Sequence, residues 1–265
     1  MNARRIRDEV LAVMRRRWGG AHVSDQYDDI ARSFDEVESV IRFVRENLEF
    51  PSFRRALGPL TGKQVLDVGC GEGTFTRMIM RQGARRVVGI DQSEGMIKLA
   101  QTIEAREPLG IEYLVQDMVT MPALEAFDVV TAVHVLHYAD SRESMAHLAQ
   151  RMFANLAPGG RLVALLANAE SSARSEEASG FRTHRPDNPR EGERFRVSVL
   201  TTPPTDVWVH HWPSESIVSV LESAGFTGFT WHAVAVAESV APEDLERARQ
   251  CAENPTSRLL TATRP

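Results

Sequence analysis

A short glycine-containing run at residues 65–73 constrains this chain more than any other feature. It reads Val-Leu-Asp-Val-Gly-Cys-Gly-Glu-Gly, so an apolar strand that contains Asp67 leads into Gly69, Gly71 and Gly73. Glycine adopts positive φ angles without strain, and a backbone without side chains lets a bulky ligand lie directly against it. The run therefore predicts a strand, a loop and a helix that together bind a nucleotide-like cofactor.

The spacing of the glycines separates two classes of cofactor that use this strand-to-helix geometry. Dinucleotide sites use Gly-x-Gly-x-x-Gly and place a pyrophosphate at the N-terminus of the following helix. Here the spacing is Gly69-x-Gly71-x-Gly73 and Asp67 precedes it. A carboxylate at this point would repel a pyrophosphate but could attract an amino-acid ammonium group. The pattern favours S-adenosylmethionine over NAD.

Acidic residues at the ends of two later strands extend the predicted site. Asp91 follows the apolar run 87–90, and a carboxylate there can accept hydrogen bonds from both hydroxyls of a ribose. The alternative for Asp91 is an ordinary turn or helix cap, although Ser93 is the better cap for the helix that follows. Asp117 and Met118 follow the apolar run 111–115, and an acid with a thioether suits an adenine site. A fourth strand at 127–133 and a fifth after 156–160 are also predicted.

In this order, the features resemble the class I S-adenosylmethionine-dependent methyltransferases over residues 25–235. The resemblance implies an α/β fold with a Rossmann-like seven-stranded sheet, helices on both faces, an N-terminal helical cap and an inserted lid segment. It implies S-adenosyl-L-methionine as the cofactor and S-adenosyl-L-homocysteine as the product. The cofactor-binding residues that it implies are Tyr27, Asp67, Gly69, Gly71, Asp91, Gln92, Met96, Asp117, Met118 and His134.

Shorter motifs are similar to those of the toxoflavin-type N-methyltransferases and their small-molecule relatives. These motifs are Asp25-Gln26-Tyr27-Asp28, Tyr138-Ala139-Asp140, Pro203-Pro204 and His211-Trp212. The likeness implies that the segment around Tyr27 folds over the cofactor, with its hydroxyl near the methionine end. It also implies a small secondary metabolite, aromatic or heterocyclic, as the methyl acceptor.

Methyl transfer is an in-line displacement, so holding the reacting atoms in line can supply much of the catalysis. A general base is needed only where the acceptor loses a proton during transfer. We expect His137, Tyr138 and His211 to be the catalytic residues, although each histidine could simply bond to a backbone carbonyl. Trp208 and Trp212 are candidates for the walls of a flat acceptor site, with core packing as the alternative.

Metal binding is not expected from the histidine pairs at 134/137 and 210/211. Neither pair has carboxylate or cysteine partners at a spacing typical of a zinc or calcium site. The sequence therefore predicts a metal-independent protein.

The chain divides into a helical cap at residues 1–60 and a core at residues 61–265. Val10, Val13 and Met14 recur at helical spacing, and a second such pattern at 37–44 is expected to run on until Pro51. The first helix could pack against a second subunit, so a monomer and a homodimer both stay open. The polar segment around residues 170–196 is interpreted as a lid, or else as a plain surface loop. Residues 259–263 are expected to form a final edge strand.

The charge and hydropathy of the chain disfavour nucleic acids and membranes as partners. The net charge is −5, whereas nucleic-acid binding depends on many contacts between basic side chains and phosphates. The basic run at residues 15–17 is interpreted as a solvated helix face. No apolar run reaches the roughly 18 residues of a membrane span, and the charged N-terminus is unlike a signal peptide. We therefore expect a cytoplasmic protein with a small-molecule substrate, no nucleic-acid partner and no membrane partner.

Three functional hypotheses follow. The first is an S-adenosylmethionine-dependent methyltransferase that acts on nitrogen or oxygen. The second is a cofactor-binding pathway protein without catalytic activity, because fold alone does not guarantee chemistry. The third is an NAD-type oxidoreductase, which the glycine spacing disfavours.

Overall fold

A seven-stranded sheet forms the centre of the fold in the computed structural model, which describes residues 25–28, 30–31, 34–124 and 126–265. The sheet order is β3-β2-β1-β4-β5-β10-β9, in which β10 runs antiparallel to both of its neighbours and all other neighbouring pairs are parallel. The predicted helix that contains Val10, Val13 and Met14 lies outside the described residues. The strands of this sheet are β1 (Gln64–Val68), β2 (Arg86–Asp91), β3 (Glu112–Val115), β4 (Phe127–Val133), β5 (Leu156–Ala167), β9 (Thr227–His232) and β10 (Ser257–Thr263).

Helices cover both faces of this sheet because successive residues of a strand point to opposite sides. Leu66 packs into a core with helices on one face, whereas its neighbour Val65 packs into a separate core on the other. The predicted α/β fold is therefore confirmed. The helices are α1 (Phe34–Val44), α2 (Phe50–Leu57), α3 (Thr74–Arg81), α4 (Glu94–Arg106), α5 (Arg142–Ala154), α6 (Ala173–Ala178), α7 (Ser214–Ser223) and α8 (Leu245–Glu253).

The first described helices differ from the prediction at Pro51. The chain does not leave the helix before this proline, because a π-helical turn (Arg45–Glu49) joins α1 directly to α2. Pro51 lies in the first turn of α2, where a missing N–H is tolerated. The predicted cap is confirmed at α4, where the Ser93 side chain accepts a hydrogen bond from the backbone N–H of Met96.

The prediction of a final edge strand is wrong. Residues 259–263 belong to β10, which lies between β5 and β9 and is antiparallel to both. Leu259 and Leu260 point to opposite faces, and both are fully buried. Two buried faces are typical of an inner strand, so β9 takes the edge position.

A second sheet of three antiparallel strands stands apart from the first. It consists of β6 (Phe181–His184), β7 (Arg194–Val199) and β8 (Thr205–His210), in that order. The segment predicted as a lid at 170–196 thus contains α6, β6 and the start of β7 rather than one long loop. In the part of the chain that the structure describes, no helix is long and apolar enough to span a membrane.

Candidate active site

The glycine loop lies between β1 and α3, and two of its glycines are required for different reasons. A Cβ on Gly69 would lie 2.5 Å from Cγ2 of Val135, so this position needs glycine for packing. A Cβ on Gly71 would meet nothing within 4 Å, and the φ angle there is +55°. Gly71 lines a cavity of about 310 Å³. The loop therefore presents bare backbone to an open space, as the cofactor interpretation requires.

Asp67 lies at the base of this loop and is 1% exposed. Its two carboxylate oxygens accept hydrogen bonds from Thr76 Oγ1 at 2.6 Å and from Thr131 Oγ1 at 2.7 Å. Burial raises the pKa of Asp67 to about 6 even though these hydroxyl bonds lower it. The carboxylate thus ties β1 to α3 and β4, and it also lines the cavity.

Asp91, at the end of β2, bonds back to the glycine loop. Oδ2 accepts from the Gly71 N–H and Oδ1 accepts from the Ser93 N–H, each at 2.9 Å. Burial raises the pKa of Asp91, and these two backbone bonds act against that shift. A carboxylate has about four lone-pair positions, so Asp91 keeps acceptor capacity for a pair of ribose hydroxyls. Gln92 and Met96 line the cavity beside it.

Met118 and Asp117 do not both line the cavity. Met118 is buried and lines the cavity, with its sulfur 3.3 Å from where a Cβ on Gly69 would lie. Asp117 is not among the cavity-lining residues. Its Oδ1 accepts from the backbone N–H groups of Val119 and Thr120 at 2.9 and 3.3 Å, so this oxygen builds the turn after β3.

Two histidines and a tyrosine line the cavity just after β4. His134 has a φ of +55°, and its Nε2 lies 2.9 Å from Oε1 of Glu49. Leu136–Tyr138 form a short 3-10 helix that places the His137 and Tyr138 rings with centroids 4.3 Å apart.

The His137 imidazole is held in its neutral form. Burial, His134 and His210 lower the pKa of His137 to about 3. Its Nδ1 is buried without a hydrogen-bond partner among the described residues. Such an atom requires an explanation, and a bound ligand is one. At physiological pH the ring is therefore an uncharged hydrogen-bonding group rather than a cation.

Tyr27 closes the cavity from the N-terminal side. Its hydroxyl bonds to the Tyr138 hydroxyl, and the two rings meet edge-on with centroids 5.5 Å apart. Burial raises the pKa of Tyr27 to about 12. The neighbouring Asp28 accepts from Ser93 Oγ at 2.5 Å and from Gly95 N–H at 2.9 Å, which fixes this segment to the start of α4.

One face of the second sheet forms the opposite wall. Residues at alternate positions face the cavity, as strand geometry requires. They are Phe181 and Thr183 from β6, Phe195, Val197 and Val199 from β7, and Thr205, Val207 and Val209 from β8. Five of these eight are valine or phenylalanine residues of β7 and β8, so the wall is largely apolar.

The two tryptophans lie on different sides of this wall. Trp212 lines the cavity and donates from Nε1 to the Ala139 carbonyl at 2.9 Å. Trp208 is 42% exposed on the outer face, beneath the Arg194 guanidinium, and so does not wall the acceptor site. His211 also lines the cavity, and burial lowers its pKa.

Sequence reasoning missed the π-helical turn and two of its three charged residues. Arg45 and Glu49 both line the cavity. Arg45 bonds to Glu38 and lies 3.7 Å from Glu72, and Glu49 is 6% exposed. Their spacing in the sequence fits a solvated helix face, so no pattern marked them. Within the described ranges, no group of three or more His, Cys, Asp or Glu residues could hold a metal, and metal independence stays a prediction.

Comparisons with known proteins bear on the same region. Residues 65–160 match the family model described as a methyltransferase domain. Over 116 residues the chain is 41% identical to tRNA U34 carboxymethyltransferase of Klebsiella pneumoniae, covering 40% of this chain and 32% of that protein. Over 104 residues it is 35% identical to ubiquinone biosynthesis O-methyltransferase of Coxiella burnetii. This match covers 39% of this chain and 43% of that protein. The chain thus spans less than half the length of both relatives.

A solved structure extends the likeness across the fold. It is the 1,6-didemethyltoxoflavin-N1-methyltransferase of Burkholderia thailandensis, with bound 1,6-didemethyltoxoflavin and S-adenosylhomocysteine. The TM-score is 0.62 at 16% identity, and the match covers 92% of this chain and 88% of that one. At this identity the likeness concerns the fold. Together with the family match at residues 65–160, it shows that the chain contains a methyltransferase domain and shares its fold with that methyltransferase.

Proposed function

We propose that this protein transfers a methyl group from S-adenosylmethionine to a nitrogen or oxygen atom of a small aromatic or heterocyclic secondary metabolite. One observation carries the proposal. A single cavity is lined at one side by the bare loop around Gly71 and by Asp91, and at the other by the apolar face of the second sheet. A polar cofactor and an apolar acceptor would therefore share one enclosed space, as a direct transfer between them requires.

The residues that would hold the cofactor are those that frame the loop. Asp91 would accept from the ribose, Met118 would pack on the adenine, and Asp67 would face the ammonium group. Gln92, Met96 and Tyr27 line the same part of the cavity. When bound, the cofactor supplies an electrophilic methyl carbon, and its sulfur keeps the electron pair of the broken bond.

The chain's own contribution is to orient the acceptor and to exclude water. Phe195 and Trp212 supply flat apolar surface, on which an aromatic ring packs well. Neutral His137 can exchange a hydrogen bond with the acceptor without repelling an electrophilic methyl group. Tyr27 and Tyr138, joined through their hydroxyls, line the same cavity. Correct alignment of two reactants can lower a barrier by about 7 to 11 kcal/mol.

A large nucleic-acid acceptor is less well supported. The similarity to a tRNA-modifying enzyme covers 40% of this chain. The net charge of −5 disfavours a phosphate-rich partner. A small-molecule acceptor remains our proposal, together with a cytoplasmic location and a monomeric or homodimeric state.

Calorimetric titration followed by a transfer assay tests the proposal. We expect micromolar binding of S-adenosylmethionine and S-adenosylhomocysteine and no binding of NADH. The protein, S-adenosylmethionine with a labelled methyl group and a panel of phenols and nitrogen heterocycles should then yield a labelled acceptor. Binding without transfer would favour a non-catalytic cofactor-binding protein, and binding of NADH alone would favour an oxidoreductase.

A further inference from the structure

The buried carboxylate of Glu49 contacts His134, a histidine that lines the cavity. Oε1 of Glu49 accepts a hydrogen bond from Ser257 Oγ at 2.5 Å and lies 2.9 Å from Nε2 of His134. Burial raises the pKa of Glu49, whereas the charge of protonated His134, hydrogen bonds from His134 and Ser257, and Arg45 together lower it below its ordinary value. When His134 is neutral, the Ser257 hydrogen bond and Arg45 still favour the ionised carboxylate. Glu49 is therefore an ionised acceptor inside the protein.

This contact decides which nitrogen of His134 carries a proton. An ionised carboxylate can only accept, so the hydrogen bond requires a proton on Nε2. In the neutral ring, Nδ1 is then left with its lone pair. No hydrogen bond within the described part of the chain engages Nδ1, and the side chain, 34% exposed, lines the cavity. His134 thus has an acceptor nitrogen without a hydrogen bond on a side chain that lines the cavity.

The backbone holds this ring in an uncommon conformation. His134 has a φ of +55°, in the left-handed region that favours glycine, and its N–H donates to the Leu165 carbonyl at 2.8 Å. A non-glycine residue there is strained and persists only where its surroundings fix it. Glu49 comes from a π-helical turn, a feature that is frequent at functional sites. Two uncommon backbone features therefore converge on one contact.

His137 is less suited to receive a proton. Its neighbours are His134 and His210, and no carboxylate contacts its ring. Nδ1 of His137 is buried and lacks a partner among the described residues, so nothing there would stabilise an imidazolium. At His134 the Glu49 carboxylate would do so, in the manner of the carboxylate that orients a catalytic histidine.

We infer that His134, oriented by Glu49, accepts the proton that the methyl acceptor loses, an inference that rests on the proposed function. The N–H or O–H bond of the acceptor breaks and its proton goes to Nδ1. The electron pair of that bond remains on the nitrogen or oxygen and forms the new bond to the methyl carbon. The proton then leaves His134 for water. His134 is the catalytic residue in this scheme, and Glu49 is a positioning residue.

The inference also limits the class of substrate. An acceptor must carry an N–H or O–H whose proton is lost on methylation, such as a phenol or a heterocyclic N–H. A tertiary amine or a thioether has no such proton and gains nothing from His134. Methylation of acceptors of the first kind should therefore depend on His134, and methylation of those of the second kind should not.

The first test determines which ring nitrogen of His134 carries the proton, and it needs no methyl acceptor. The whole protein, labelled with ¹⁵N-histidine, is measured by NMR at pH 7.5 with and without S-adenosylhomocysteine. We expect His134 to carry its proton on Nε2 and none on Nδ1, and Glu49→Gln to mix the two tautomers, because an amide can donate as well as accept. A proton on Nδ1 of His134 in the unaltered protein would overturn the inference, whether or not the protein transfers methyl groups.

The second test separates proton acceptance from cofactor contact. With an acceptor identified in the transfer assay, His134→Gln should lower kcat by about 10²- to 10⁴-fold, the usual range for a lost general base. Its Kd for S-adenosylhomocysteine should change less than about 3-fold, because the hydrogen bond of the ring is made to Glu49. The matched control is His184→Gln, an exposed histidine outside the cavity, which should leave kcat unchanged. Weaker cofactor binding with an unchanged kcat would overturn the inference.

Discussion

Asp67 allows a quantitative prediction about stability and function. The pKa of this carboxyl is raised from 3.8 to about 6 by burial, a difference of about 2.2. Each pKa unit corresponds to about 1.36 kcal/mol, so the ionised form destabilises the folded state by about 3 kcal/mol at neutral pH. In Asp67→Asn the charge is gone, the amide oxygen still accepts from one threonine, and the other hydroxyl can rotate to accept from the amide. The variant should therefore be more stable at pH 7.5 by about 3 kcal/mol.

The sign of the pH dependence follows from linkage. Since the folded pKa lies above the unfolded one, the folded state binds the proton more tightly between about pH 4 and pH 6. The unaltered protein therefore loses stability from this group as pH rises through that window, and Asp67→Asn does not. The difference between them should be near zero below about pH 3, about 1 kcal/mol at pH 4.5, and full above about pH 7.

Urea unfolding at pH 4.5 and pH 7.5 measures this difference directly. Asp128→Asn is the matched control, because the Gln64 N–H and Lys63 lower the pKa of that carboxyl, so the same substitution should destabilise at pH 7.5. Asp67→Asn should also weaken binding of S-adenosylmethionine by about 1.5–3 kcal/mol if the carboxylate faces the ammonium group. Equal stability at pH 7.5, or a gain of the same size at both pH values, would refute the reasoning.

Three further predictions concern the cavity. Asp91→Ala should weaken S-adenosylhomocysteine binding by about 1.5–3 kcal/mol in calorimetry, because two hydrogen bonds to a charged group are lost; an unchanged Kd would remove Asp91 from the site. Gly71→Ala should lower cofactor affinity and also destabilise by about 1 kcal/mol, because its φ is +55° and the new methyl group points into the cavity; tight binding by this variant would contradict the assigned role of the loop. The ring signals of His137 in NMR should stay constant from pH 8 to pH 5, since burial and its histidine neighbours lower its pKa to about 3; a titration in that range would contradict the buried, uncharged state.

The central strands could be predicted because a short apolar run within each strand is enough to identify it. Val65, Val87 and Val129 lie in apolar runs that are buried on both faces, and such runs predict inner parallel strands directly. The glycine loop could be predicted for the same reason, because spacing within five residues defines its backbone. Local patterns therefore gave the sheet, the loop and most cavity-lining residues around it.

The remaining features depend on contacts between distant residues. The position of β10 is set by pairing with β5, about 95 residues earlier, which no local pattern encodes. Glu49 meets His134 only because a π-helical turn shifts its side chain from the expected helical register. Asp117 matched its motif by spacing, yet one of its oxygens is used by the turn that follows it. Trp208 and Trp212 are indistinguishable in the sequence, and only the pleat of β8 and the turn after it separate them.

The position of β10 also determines when the central sheet can be completed during synthesis. β9 leaves the ribosome before β10, yet it contacts the rest of the sheet only through β10. Until residues 257–263 emerge, residues 161–167 of β5 have no partner at their outer edge. An unpaired apolar edge of that length is a template for aggregation. A nascent chain of this protein therefore exposes this edge for the interval in which β10 is still missing.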